Sequence, residues 1–153
     1  MTATKQKAKQ KQQPSEQIVN DQPRTFTDAD FPIGSVVHQG DLILVRISAM
    51  PNSNKVRKDR QLAIGTTQGS RHILAIGSPC DCDPSEVATA IKSLCPRADI
   101  GQQYVGPVFA TVNGKADLLH PEHGNHHYRG DMTIAVVYQR SLDGEERERR
   151  VQD

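Results

Sequence analysis

Leu42-Ile43-Leu44-Val45-Arg46-Ile47 is the stretch on which the fold turns. Apart from Arg46 its side chains are apolar, so an extended chain here carries hydrocarbon on both faces, as a strand covered on each side does. Gln39-Gly40-Asp41 stands directly before it as a turn, and Ser35-Val36-Val37-His38 before that as a further strand. Downstream, Ala49-Met50-Pro51-Asn52-Ser53-Asn54 is a loop by its Pro and Asn content. Lys55 to Arg60 (KVRKDR) offers only Val56 to a core and belongs at an exposed edge or loop.

Further strands are expected over residues 62–67 and 72–77, joined through Gln68-Gly69-Ser70-Arg71 as a hairpin connection. Asp83-Pro84-Ser85-Glu86 opens a helix: Asp83 is the N-cap, Pro84 fits the first turn, and Glu86 has capping-box spacing. Val87, Ile91 and Leu94 follow at helical spacing, and Pro96 ends the helix by Cys95. Strands resume over Tyr104–Val112, Ala116–Leu119 and Met132–Gln139, the last containing the strongly β run Thr133 to Tyr138. The expected architecture is mainly β: a small barrel or sandwich of about six to seven strands with one inserted helix. Ile43 and Val45 are expected in one core with Ile134 and Val136.

The globular part spans residues 33–142 on this reading. Residues 1–32 form a flexible basic arm and linker, with Phe26 and Phe31 pinning the linker to the domain edge. The first twenty residues hold almost nothing apolar before Ile18, too little to offset the entropy of ordering them. Residues 143–153 are a charged tail in which Glu145–Arg149 and Glu146–Arg150 are favourable i,i+4 pairs. The net charge of +1 conceals an uneven spread. Lys5, Lys7, Lys9 and Lys11 have no acid near them, whereas from residue 33 onward fourteen basic and fourteen acidic residues cancel. No global basic field marks a dedicated nucleic-acid binder.

Three cysteines, Cys80, Cys82 and Cys95, are too few and too odd for a disulfide scaffold. No leader-like apolar segment opens the chain and no apolar run is long enough to span a membrane. The expected place is the cytoplasm, or the inside of an assembled phage or intracellular particle.

Four segments together carry a resemblance: His38-Gln39-Gly40-Asp41 before a strand, a Gly-containing hairpin leading to His72, Leu119-His120-Pro121-Glu122-His123, and Val137-Tyr138-Gln139-Arg140 near the end. Over residues 36–150 the chain resembles a set of small bacterial and phage proteins without assigned function. These share a QGD strand, a Gly-His segment, an H-P/E-E-H turn and a closing strand ending in QR. Members often read Gly-His-x-His where this chain reads Gly69-Ser70-Arg71-His72, so Ser70 replaces the first histidine. The helix with its cysteines looks like an insertion. The resemblance implies no activity, cofactor or substrate.

The densest chemistry lies in His120-Pro121-Glu122-His123-Gly124-Asn125-His126-His127, which holds four of the six histidines. Imidazoles bind zinc or another divalent transition metal, and His120, His123 and His126 with distant His72 or His38 would make such a site, with Glu122 as general base. Pro121 and Gly124 disfavour a helix that would align them. The alternative is a polar turn in which His120 and His123 bond backbone groups. If residues 126–128 are extended, His126 and Tyr128 share one face and His127 the other. A site of Cys80, Cys82, Cys95 and His72 would need tighter spacing than a zinc knuckle uses. Neither a Gly-x-Ser-x-Gly elbow nor a Gly-rich phosphate loop is present, and Ser70 with His72 lacks an identifiable orienting acid.

Three functions follow in order. The leading expectation is a non-catalytic accessory or structural module that binds a protein partner or its own copies, using the N-terminal arm. The alternative is a metal-binding protein or metal-dependent enzyme built on the His120–His127 loop. The third is a phosphate-backbone binder using Lys5, Lys7, Lys9, Lys11, Lys55, Arg57, Lys58 and Arg60, though without interleaved aromatics for stacking.

Overall fold

A computed structural model describes residues 22–63 and 71–139. Among the described residues ten strands form two sheets, with one helix laid on the outside of the larger. In chain order they are β1 (Arg24–Phe26), β2 (Val36–Gln39), β3 (Leu42–Ile47), β4 (Lys55–Val56), β5 (Ile73–Ile76) and β6 (Ser78–Asp81). Helix α1 (Pro84–Leu94) and a 3₁₀ turn (Gln102–Tyr104) intervene before β7 (Val105–Ala110), β8 (Lys115–Leu119), β9 (His126–Arg129) and β10 (Thr133–Tyr138). The four-stranded sheet runs β1-β9-β8-β5 and the six-stranded sheet β2-β3-β10-β7-β6-β4. The sheets do not close into a barrel; they face each other as a sandwich. Among the described residues no helix is long and apolar enough to cross a membrane.

The apolar run around Leu42 behaves as its composition demands. β3 pairs with β2 and β10, and its two faces feed two cores. Leu42 and Leu44 meet Ile134 and Val136 between the sheets, where Leu74, Phe109, Leu118 and Tyr128 close the packing. Val45 and Ile47 turn the other way, meeting Ala135, Val137 and the helix residues Val87 and Ile91. The expectation that Ile43 and Val45 share a core with Ile134 and Val136 is thus corrected. Antiparallel pairing sets Val45 opposite Ala135 and Val136 opposite Leu44, and directly paired residues share a face.

Other differences have local causes. Residues 24–31 are not a linker: β1 pairs in parallel with β9, and both Phe26 and Phe31 are buried core residues. Arg46, nearly buried, fastens this segment by donating to the carbonyl of Phe31 at 2.9 Å and that of Asp131 at 3.1 Å, and by pairing with Asp28 at 2.8 Å. Just before the strand expected over 62–67, Gln61 makes an isolated bridge to Ile73; residues 64–70, with most of that strand and of the expected hairpin, lie outside the described residues. The helix begins as expected, with the Asp83 carboxylate accepting from the Ser85 N–H. Its capping box does not form. Glu86 instead accepts from the backbone and hydroxyl of Ser53, and Ser53 in turn accepts from the Asp83 N–H, tying the 51–54 loop to the helix start.

Two tight hairpins position the site. Gln39 pairs with Leu42, so Gly40-Asp41 is a two-residue turn, and Gly40 at φ +58° supplies the left-handed conformation its first position needs. Asn113-Gly114, at φ +52° and +74°, turns β7 into β8 as a type I′ pair does.

Candidate functional site

Three separated segments converge at one end of the sandwich. The β2–β3 turn comes from the six-stranded sheet; His72, entering β5, and the β8–β9 connection come from the four-stranded one. Gln39 is their common anchor and is almost fully buried. Its amide nitrogen donates to the carbonyls of Leu118 at 2.9 Å and Gly124 at 2.8 Å. With the nitrogen so committed, the amide oxygen must be the atom facing His72 Nδ1 at 2.8 Å, and His72 Nδ1 must carry a proton to donate to it. His72 Nε2 lies 3.2 Å from the Asp41 carboxylate.

His120 is fixed by similar reasoning. Its Nδ1 accepts from the backbone N–H of Glu122 at 3.0 Å and of His123 at 3.1 Å. An atom that receives two donors holds a lone pair, so the neutral ring carries its proton on Nε2. The backbone N–H of His120 in turn donates to Asn125 Oδ1 at 3.1 Å, closing the turn from both ends. The ring lies between two others, with centroids 4.3 Å from His72 and 4.6 Å from His123. His123 itself is exposed and covers Gly40 so closely that a Cβ there would fall 2.5 Å from its Cδ2. Of the two rings expected to bond backbone groups, His120 does so, while the ring of His123 packs over Gly40.

Burial sets the electrostatics. It pulls His72 down to about 4, helped by neighbouring His120 and opposed by Asp41. Burial and His123 lower His120, against the raising influence of Glu122 and Asp41. Both rings are therefore neutral near pH 7.

Of the proposed metal ligands, His72, His120 and His123 come together and His126 does not. Among the described residues no three of His, Cys, Asp or Glu are grouped to hold a metal ion. His120 spends Nδ1 on two amides, and His72 spends Nδ1 on Gln39. His126 sits elsewhere in the core, 2.9 Å from the Tyr128 hydroxyl and edge-on to Phe26 at 5.0 Å. Burial, with Arg24 adding to it, lowers His126 to about 4. His126 and Tyr128 do share one face of β9, and His127 takes the other, where it bonds Asp117 at 3.0 Å beside Arg129. Burial pushes Asp117 up, but the bonds from His127 and Arg129 outweigh it and hold the carboxyl below its usual range. His38 and Glu122 are exposed.

The basic residues divide in the same way. Arg57 donates to the carbonyls of Asp59 and Gln61 and pairs with Asp81 at 3.0 Å; Arg60 reaches the carbonyls of Leu74 and Gly77. Both arginines thus brace their own chain, while Lys55 and Lys58 face solvent. Lys5, Lys7, Lys9 and Lys11 lie outside the described residues. Cys80 is buried, Cys82 and Cys95 are half-buried, and all three are free; burial raises the Cys82 thiol to about 11, the opposite of what a reactive thiolate needs.

Sequence reasoning missed Gln39 and Asp41 as partners of His72, the second being the acid it had not identified. The QGD spelling was visible, but no periodicity tells which distant side chain a turn will meet. A groove of about 520 Å³ opens beside the junction, lined by Arg71, Ile73, Leu119, His120, Pro121 and Asn125.

Fold and site define a small two-sheet β module whose interlocked turns are pinned by buried glutamine and histidine. The chain belongs to the family of a domain of unknown function (DUF8820), whose model matches residues 38–131. That span begins one residue before Gln39 and contains every residue of the junction. No curated protein matches the chain, and neither does any solved structure.

Proposed function

We propose that this chain is a non-catalytic binding module that takes an extended segment of a protein partner, another copy of itself included, onto the free edge of β2. One observation carries the reading: among the described residues β2 is the edge strand left open and unguarded. Its neighbour β3 lies on one side only. The two-residue turn makes Gln39–Leu42 and then Val37–Leu44 the hydrogen-bonded pairs, so the N–H and C=O of Val36 and His38 point outward. Exposed Val36 and Ile33 flank them, and no charged side chain lies on the strand.

The other three edges are protected. β4 is two residues long and lies among Lys55, Arg57 and Lys58. β5 is covered by residues 60–62, through bonds from Leu62 N–H to His72 O and from Leu74 N–H to Arg60 O. β1 has three residues and carries Arg24. Short, charged or covered edges resist strand addition, and a bare one invites it. The polar atoms of the histidine junction are used to hold the sheets together, which favours binding over catalysis.

A displayed-peptide library and the purified chain at rising concentration test this together. His38→Pro removes an outward N–H that β3 does not use, and Val36→Lys puts charge on the edge. Peptide binding or self-association that protects the Val36 and His38 amides, and that both substitutions abolish, supports the reading. Binding indifferent to both, or none in either format, overturns it.

A further inference from the structure

We propose that His120 is a proton-operated clasp: a proton arriving at its Nδ1 opens the 120–126 turn and releases it from the Gln39–Asp41 turn. Donor and acceptor roles at Nδ1 decide the response. In the closed turn the single lone pair of Nδ1 satisfies the amides of both Glu122 and His123. The imidazolium has N–H on both nitrogens, so a protonated Nδ1 becomes a donor facing two donors. Both bonds are lost at once, and the turn cannot keep its shape around the charged ring.

The neighbouring histidine responds in the opposite sense. His72 already donates through Nδ1 to Gln39, and a second proton on Nε2 would meet the Asp41 carboxylate at 3.2 Å. His72 therefore gains a partner when charged, whereas His120 forfeits two. Among the described residues the titrating or charged groups that act on His120 are His72 from the segment entering β5, Asp41 from the β2–β3 turn, and His123 and Glu122 from its own turn. Arg71 lines the same groove. With His72 only 4.3 Å away, charge on that ring further opposes a proton on His120 while the turn is closed. The proton enters as the turn opens.

Opening has a defined consequence. Gly124 lies inside the turn, and its carbonyl is one of the two that hold the Gln39 amide. Release removes half of that anchor and uncovers Gly40, against which the His123 ring packs. The β2–β3 hairpin then stays tied to the four-stranded sheet at this end through Leu118 and His72.

If protons bind only the open turn, with the ordinary imidazole value of about 6.5, its population rises about tenfold per pH unit below that value. Amide exchange of Glu122 and His123, corrected for intrinsic rate, reads this directly. Expected is a protection loss of about tenfold per pH unit, while the core amides of β3 and β10 stay protected. His120→Asn keeps a side-chain acceptor for the turn but cannot titrate, so its protection should be independent of pH. His120→Ala should leave both amides unprotected already at pH 7. Nitrogen-15 spectra of the wild-type ring serve as a further measurement that needs no variant, and should show the Nε2–H tautomer at neutral pH. An Nδ1–H tautomer, unchanged protection at pH 5, or the same acid response in His120→Asn would each overturn the proposal.

Discussion

Gly40→Ala probes the interlock of the two turns at a single atom. Gly40 adopts φ +58°, and a Cβ built there lies 2.5 Å from His123 Cδ2 and 3.0 Å from its Nε2. Two separable costs follow. Holding an L-residue with a side chain in the left-handed region costs about 1–2 kcal/mol. The overlap with the ring adds up to about 1–3 kcal/mol if the imidazole is held in place, and less as it swings aside. His123 is exposed and can move, but moving costs its stacking on His120, so a total of about 2–4 kcal/mol is expected. Urea unfolding followed by far-ultraviolet circular dichroism measures it in the wild-type and His123→Ala backgrounds. With the ring gone only the backbone cost remains, and the penalty should fall to about 1–2 kcal/mol. A loss below about 0.5 kcal/mol, or the same loss in both backgrounds, would refute the packing of these turns.

Acid should weaken the fold in a calculable way. His72 and His126 are both lowered by burial to about 4, so the folded state binds fewer protons than the unfolded one. Their contribution is complete above about pH 6.5 and is lost as the pH falls toward 4, at up to about 1.4 kcal/mol per pH unit for each ring. Urea midpoints that stay flat between pH 7 and 4.5 would contradict it. Tyr128→Phe strips His126 of its 2.9 Å hydroxyl partner inside the core and should cost about 1–3 kcal/mol by thermal or urea unfolding, with no change in the far-ultraviolet spectrum. Leu118→Ala, at a fully buried position between the sheets, should cost about 2–5 kcal/mol, whereas Val56→Ala on exposed β4 should change stability by less than about 0.5 kcal/mol.

Much of this molecule is legible in local pattern, because local pattern is what strand and helix formation respond to. The run from Leu42 to Ile47 states a strand with two covered faces, Asp83-Pro84 states a helix start, and Thr133 to Tyr138 states the strand that lies at the centre of the larger sheet. The mainly β sandwich followed from these. The strands that escaped notice are the ones whose cause lies elsewhere in the chain. β1 is three residues that become a strand only beside β9; β6 has a proline inside it; β9 is polar by composition and is held because His126 and Tyr128 turn inward.

The site divides along the same line. The sequence by itself determined that the chain turns at Gly40-Asp41, that His72 enters a strand, and that Pro121 and Gly124 bar a helix from the histidine-rich segment. Each of these depends on backbone preferences of neighbouring residues. Only the tertiary structure decided that Gln39 would spend its amide on Leu118 and Gly124, and so fix the proton of His72. It likewise brought His72 against His120 and His123 and placed His126 apart from them, beside Tyr128. Those outcomes depend on which lone pairs and protons meet across separations of 79 and 33 residues. Hydrogen-bond direction at such contacts is set by packing, which no spacing along the chain records.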